Sequence, residues 1–172
     1  MKTVFFFWFG MCFVCYMLRT AFNILKHKDS PFAENRKIVI SIFIVMGILW
    51  FSWGQMCFLD PIKMNITDWI RYIGLLLFLT GVFLFIFSHV KLKGFKDKGK
   101  LITDGVYSKI RNPMYIGFII WIIGFPIFMR SVVTLASSAI WILHIIHWKT
   151  LEERELEKKY KEYKEYRRKT WF

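Results

Sequence analysis

The chain has 172 residues, 56% hydrophobic and 20% aromatic, with a mean hydropathy of +0.40 and a formal charge of +13. An apolar fraction above the roughly 45–50% of soluble domains, with 19 Phe and 8 Trp to hide, excludes an ordinary water-soluble fold. Disorder, a collagen-like repeat and a disulfide scaffold are excluded too, the last because 3 Cys cannot all pair.

The apolar residues and the charges are segregated along the sequence. Val4 to Leu18 is uncharged and stops at Arg19; Ile38 to Leu59 is a second uncharged run; Trp69 to Val90 is a third, with only Arg71 and His89 near its ends. A helix needs roughly 20 residues to cross about 30 Å of hydrocarbon, so the second and third runs qualify outright and the first is sufficient. Met114 to Met129 and Ser131 to His147 are shorter. Gly124, Pro126 and Arg130-Ser131 favour a break between them, hence a tight helical hairpin with Arg130 at the far interface. Strands are disfavoured because the runs lack the alternation of a membrane barrel. The expected fold is all-α and polytopic, with about five transmembrane helices and a C-terminal cytosolic amphipathic helix. The first run reads as a retained helix rather than a cleaved signal: only Lys2 precedes it, no small-residue cleavage site follows, and Arg19, Lys26 and Lys28 flank its far end.

Residues 19–37 hold 5 Lys/Arg, 91–113 hold 7 and 149–172 hold 9, against Lys63 alone in the loop 60–68 and Arg130 alone in the hairpin turn. Under the positive-inside rule this alternation places the amino end outside and the carboxyl end in the cytosol. The basic excess is thereby explained by topology and anionic headgroups, and no nucleic-acid module accompanies it. Cys12, Cys15 and Cys57 lie inside greasy runs and read as buried small hydrophobes, not metal or redox ligands.

Chemistry is expected at the cytosolic edge. The loop from Lys91 to Pro113 is punctuated by Gly94, Gly99 and Gly105, and Asn112-Pro113 reads as an N-cap and first-turn proline opening the fourth helix. After the fifth helix, Thr150 and Glu153 have capping-box spacing, and Leu156, Tyr160 and Tyr163 share one helical face. Most charges here belong to a helix on the membrane surface. The adjacent carboxylates Glu152 and Glu153, close to the Arg111 end of the hairpin, instead assemble a polar pocket.

Three blocks, Leu101-Ile102-x-x-Gly105-x-Tyr107, Arg111-Asn112-Pro113-Met114-Tyr115-x-Gly117 and Glu152-Glu153-x-x-Leu156 with Tyr163-x-x-Tyr166 behind it, resemble the isoprenylcysteine carboxyl methyltransferase and phospholipid methyltransferase superfamily. The resemblance covers roughly residues 70–170. It implies an integral membrane enzyme that transfers a methyl group from S-adenosylmethionine to a hydrophobic or lipid-tailed acceptor. It implies one domain over 1–172, with the first two helices in 1–68 and a cofactor-binding core in 69–172. Carried over by position, the cofactor cradle is Lys100, Leu101, Ile102, Tyr107, Asn112, Pro113, Met114, Tyr115 and Glu152, with Arg111 and Glu153 as motif neighbours. No metal is implied. Amides at the start of the fourth helix, or Arg111, suit the cofactor carboxylate; a Glu suits the ribose diol; Leu101, Ile102 and Tyr107 suit the adenine.

The chain departs from the family pattern at Asn112 and Gly99, where many relatives carry His, and at Trp148, where prenylcysteine enzymes carry an Arg that helps grip the substrate. The acceptor is thus either prenylcysteine carboxylate-like or phospholipid-like, and Trp148 weighs against prenylcysteine itself. A carboxylate acceptor needs no base, whereas an amine or thiol needs one, for which His89, His144 and His147 are the candidates. Two other readings remain. An NADPH-dependent membrane sterol-type reductase shares a similar C-terminal block but mismatches at Met114 and Phe118. A non-enzymatic membrane protein would need none of these motifs.

Overall fold

The computed structural model describes residues 2–27, 35–95 and 101–172, and its regular elements there are all helical. In chain order they are α1 (Lys2–His27), α2 (Arg36–Leu59), α3 (Asp68–Phe95), a 3-10 turn (Gly105–Ser108), α4 (Pro113–Phe128), α5 (Val132–Lys159) and α6 (Tyr163–Lys169). Uncharged runs of this length have no solvent for their amide groups inside a bilayer, so the helix, which satisfies them internally, is the form they take. Four helices, α1, α2, α3 and α5, are long and apolar enough to cross a membrane, whereas α4 has only 16 residues. At about 1.5 Å per residue α4 is roughly 24 Å long, short of the hydrocarbon thickness. Side chains such as Phe43 (69% exposed) and Leu143 (70% exposed) face outward, which is stable only against lipid. The chain is an all-α polytopic membrane protein.

Two expectations about helix ends are corrected. The fifth membrane segment does not stop at His147. It continues without a break to Lys159, and the Thr150 hydroxyl donates back to the Ile146 carbonyl at 2.9 Å instead of capping a new helix. Nothing between Trp148 and Glu153 breaks a helix, and a back-bonded Thr is tolerated inside one. The separate C-terminal helix is thus only the 7-residue α6. The hairpin does turn near Arg130, but α4 runs through Gly124 and Pro126 to Phe128, and the reversal is made by Arg130 at φ 57.

The chain divides into two compact units, Met1–Met64 with Ser131–Thr134, and Asn65–Arg130 with Leu135–Phe172. In the first, α1 and α2 pack together, with Phe5, Cys12, Cys15, Phe22, Trp53, Met56 and Cys57 buried and all three thiols free. Asp60, 2% exposed, closes this unit: its carboxylate accepts from the Ile62 amide (3.0 Å), the Thr134 amide (2.7 Å) and the Thr134 hydroxyl (2.8 Å). It caps the start of α5 from a distant part of the sequence, satisfying amides that have no partner within the helix.

In the second unit α3 and α4 run against each other through four glycines. A Cβ on Gly81 would lie 2.6 Å from both the Gly117 carbonyl and the Trp121 amide; one on Gly124 would lie 2.7 Å from the Gly74 carbonyl. Gly74 and Gly81 therefore oppose Gly124 and Gly117 in antiparallel register, and backbone meets backbone. At Gly117 and Gly124 the backbone of α3 fills the space that the missing side chains open. At the Arg130 end, Arg71 donates to the Phe128 carbonyl (3.0 Å) and Arg130 pairs with Asp68 (2.6 Å).

Candidate functional site

Pro113 is the first residue of α4, where its missing amide hydrogen costs nothing, and Asn112 stands at the N-cap as expected. Its side chain makes no cap bond, however. The Asn112 amide nitrogen donates instead to the Glu153 carboxylate (2.7 Å) and to the Phe172 carbonyl (3.0 Å). A bond to an ionised acceptor is stronger than a neutral cap bond, so the side chain is oriented by its Nδ2 donor rather than by Oδ1.

Glu153 is the centre of this arrangement. Its side chain is 8% exposed and receives Arg111 Nε at 3.0 Å and Lys149 Nζ at 3.6 Å. Arg111, 11% exposed, turns Nη1 to the carbonyls of Arg167 (3.0 Å) and Thr170 (2.5 Å). The main chain adds a short ladder: the Arg111 amide donates to the Trp171 carbonyl (3.0 Å), and the Trp171 amide to the Lys109 carbonyl (2.8 Å). Lys149 lies 4.3 Å from the Phe172 ring centroid. Tyr166 donates its hydroxyl to the Tyr107 carbonyl (2.7 Å), and Tyr107 donates to the Ser88 carbonyl (3.4 Å). The last ten residues thus form a strap held against the loop before α4 and the emergent end of α5. Burial raises the phenols of Tyr107 and Tyr166 to about 12, and burial followed by the nearby Glu153 raises Tyr163 further. All three are neutral hydrogen-bond donors at physiological pH.

Glu152 and Glu153 were expected to serve the same pocket, but neighbours on a helix point about 100° apart. Glu153 faces the Arg111 hub, while Glu152 is exposed and accepts from the Tyr115 hydroxyl at 2.7 Å. Beside it opens a cavity of about 240 Å³, near the lower end of small-molecule sites. Leu101, Ile102, Tyr107, Arg111, Asn112, Met114, Tyr115 and Glu152 line it. These come from all three sequence blocks. Pro113 is buried beneath the wall and Glu153 stands behind it, so neither lines the space, and Lys100 lies outside the described residues. The structure adds Leu92, Leu156, Lys159, Tyr160, Tyr163 and Tyr166. From Glu152, positions 156, 159, 160 and 163 follow at helical spacing, a signal present in the sequence and only partly used.

His89, His144 and His147 are not among the described lining residues. His144 Nε2 accepts from the Trp148 indole at 2.5 Å, and His89 stacks on Phe85 with ring centroids 5.7 Å apart.

The family model of the phospholipid methyltransferases matches residues 69–163, more than half of the chain. The chain belongs to the phospholipid methyltransferase family. The match takes in every described cavity residue except Tyr166, and it ends before the strap carbonyls that hold Arg111. Among curated proteins, the chain is 29% identical over 68 residues to protein-S-isoprenylcysteine O-methyltransferase of Schizosaccharomyces pombe, covering 40% of this chain and 27% of that protein. It is 28% identical over 101 residues to the enzyme of that name from Xenopus laevis, covering 54% and 33%. A probable protein-S-isoprenylcysteine O-methyltransferase of Oryza sativa subsp. indica is 50% identical over 38 residues, covering 22% and 20%. The matches span a third or less of each of these relatives. No solved structure matches.

Proposed function

We propose that this protein is an integral membrane methyltransferase that takes its methyl group from S-adenosylmethionine and gives it to a hydrophobic or lipid-tailed acceptor. The observation that carries this reading is the convergence of eleven residues from three separated motifs on one cavity of about 240 Å³. Its walls suit the donor. Leu92, Leu101, Ile102 and Met114 offer apolar contact for a purine, and Glu152, steadied by Tyr115, offers an acceptor pair for vicinal hydroxyls. The Tyr163 hydroxyl, buried without a hydrogen-bond partner among the described side chains, leaves a donor at the wall for an incoming polar group.

When bound, S-adenosylmethionine supplies an electrophilic methyl on a sulfonium, so the protein's part is positioning and field. The Glu153–Arg111 hub supports that part. It pins the start of α4 to α5, and so fixes Tyr115 and Met114 relative to Glu152. No histidine stands among the described lining residues, which favours an acceptor already nucleophilic at neutral pH, such as a carboxylate, over one needing a base. The relatives' name, an isoprenylcysteine O-methyltransferase, supports the same chemistry. We place the amino end outside and the strap in the cytosol, on the 21-to-4 partition of Lys and Arg. Membranes containing the protein, incubated with methyl-labelled S-adenosylmethionine, should yield label in the organic extract. Label confined to water-soluble products would overturn the lipid acceptor.

A further inference from the structure

The cavity contains more positive charge than the motifs account for, and its distribution assigns a residue that they do not include. Among the described residues, three charged side chains line it: Arg111, Glu152 and Lys159. Arg111 is turned away to other partners through Nε, on Glu153, and Nη1, on two strap carbonyls. Of the amides at the start of α4, those of Tyr115 and Ile116 are occupied, both donating to the Asn112 carbonyl at 3.1 and 3.2 Å. Lys159 is different. No described carboxylate lies within ion-pair distance of it, and its described contact is the ring of Tyr160, 5.4 Å from Nζ.

Lys159 stands seven residues after Glu152 on the same face of α5, with Leu156 between them. At about 1.5 Å per residue the two are roughly 10 Å apart along the axis. In S-adenosylmethionine the ribose hydroxyls and the amino-acid carboxylate are separated by roughly eight single bonds, a span of the same order when extended. A negative end and a positive end at this separation, joined by an apolar step, match a ligand with a diol at one point and a carboxylate at the other. Resting on the proposed reading, we infer that Lys159 holds the carboxylate of the methyl donor and selects donors that carry one. A flexible ammonium suits this role because it binds as a point charge without fork geometry.

The test is calorimetric titration of purified full-length protein with S-adenosylmethionine and with decarboxylated S-adenosylmethionine, in the wild type, Lys159→Gln, Lys159→Arg and Lys158→Gln. Lys158 is the exposed neighbour that does not line the cavity. Lys159→Gln should weaken S-adenosylmethionine about 10- to 150-fold, as loss of a charge-assisted hydrogen bond does. It should leave the decarboxylated ligand within about twofold, and Lys159→Arg should restore most of the loss. Equal losses for both ligands, or equal losses in Lys158→Gln, would overturn the assignment of Lys159, as would no loss at all. Failure of the wild type to bind S-adenosylmethionine would instead overturn the underlying reading of the cavity.

Discussion

Replacing Glu153 by Gln removes the charge at the centre of the hub while keeping its volume. The Glu153 and Arg111 side chains are 8% and 11% exposed, which places the pair among buried ion pairs, where loss of one partner costs about 3–5 kcal/mol. Lys149, at 3.6 Å and 14% exposed, loses the same counter-charge. The amide oxygen of Gln can still accept from Asn112, so the cost should fall near about 3 kcal/mol. That energy is expected to surface as local opening of the strap, not as melting of the membrane helices, because the strap has few partners beyond the hub. Hydrogen exchange at the Trp171 amide, bonded to the Lys109 carbonyl at 2.8 Å, reads this directly. About 3 kcal/mol corresponds to exchange accelerated roughly 100-fold. The Arg111→Gln/Glu153→Gln double variant should recover part of the loss, since the more deeply buried Arg111 charge is no longer left without its partner. Unchanged exchange at Trp171 in Glu153→Gln, or a double variant worse than the sum of the singles, would refute the reasoning.

Further outcomes follow from the same geometry. Glu152→Gln should weaken S-adenosylmethionine by about 1.5–3 kcal/mol, while Glu157→Gln, whose ion pairs at 3.8 and 3.7 Å are with Lys164 and Arg167, should change affinity little; equal effects would reduce Glu152 to a surface charge. Gly81→Val should destabilise the α3–α4 contact by at least about 1–3 kcal/mol in thermal unfolding, because the added carbon meets backbone, while Gly10→Ala, with nothing within 4 Å, should be tolerated. The folded state holds Tyr107 and Tyr166 at about 12, above the 10.0 of a free phenol, so it keeps protons that the unfolded chain has already released. The resulting stability is complete below pH 10 and lost as the pH rises through about 12. Protease sensitivity of the strap should climb across that window, and less steeply in Tyr107→Phe. Cysteines placed at Ser30, Met64 and Lys98 in a background lacking the native thiols should be labelled from outside only at Met64; outside labelling at Lys98 would reverse the topology.

The membrane helices and the cavity were legible for different reasons. Apolar length and charge alternation set the helices because a bilayer permits few alternatives. The spaced motifs named most of the cavity because they carry unusual side chains, from Tyr107 through Tyr115 to Glu152. Illegible features depended on facing or on backbone. Adjacent glutamates look equivalent in a sequence, yet helical rotation sends Glu152 to the cavity and Glu153 to Arg111. Thr150 and Glu153 have the spacing of a cap, but only the unbroken course of α5 shows that nothing there needs capping. Gly74, Gly81, Gly117 and Gly124 gave no sign of which helix they face. The strap holds Arg111 through the carbonyls of Arg167 and Thr170, groups that every residue possesses and no side-chain pattern reveals.

The central claim, that the cavity holds S-adenosylmethionine, is tested most directly by calorimetric titration of the detergent-purified protein with S-adenosylmethionine and, in parallel, with NADPH. The expected result is a single saturable site for S-adenosylmethionine, weakened by Glu152→Gln, and no heat with NADPH. Saturable binding of NADPH without binding of S-adenosylmethionine would contradict it.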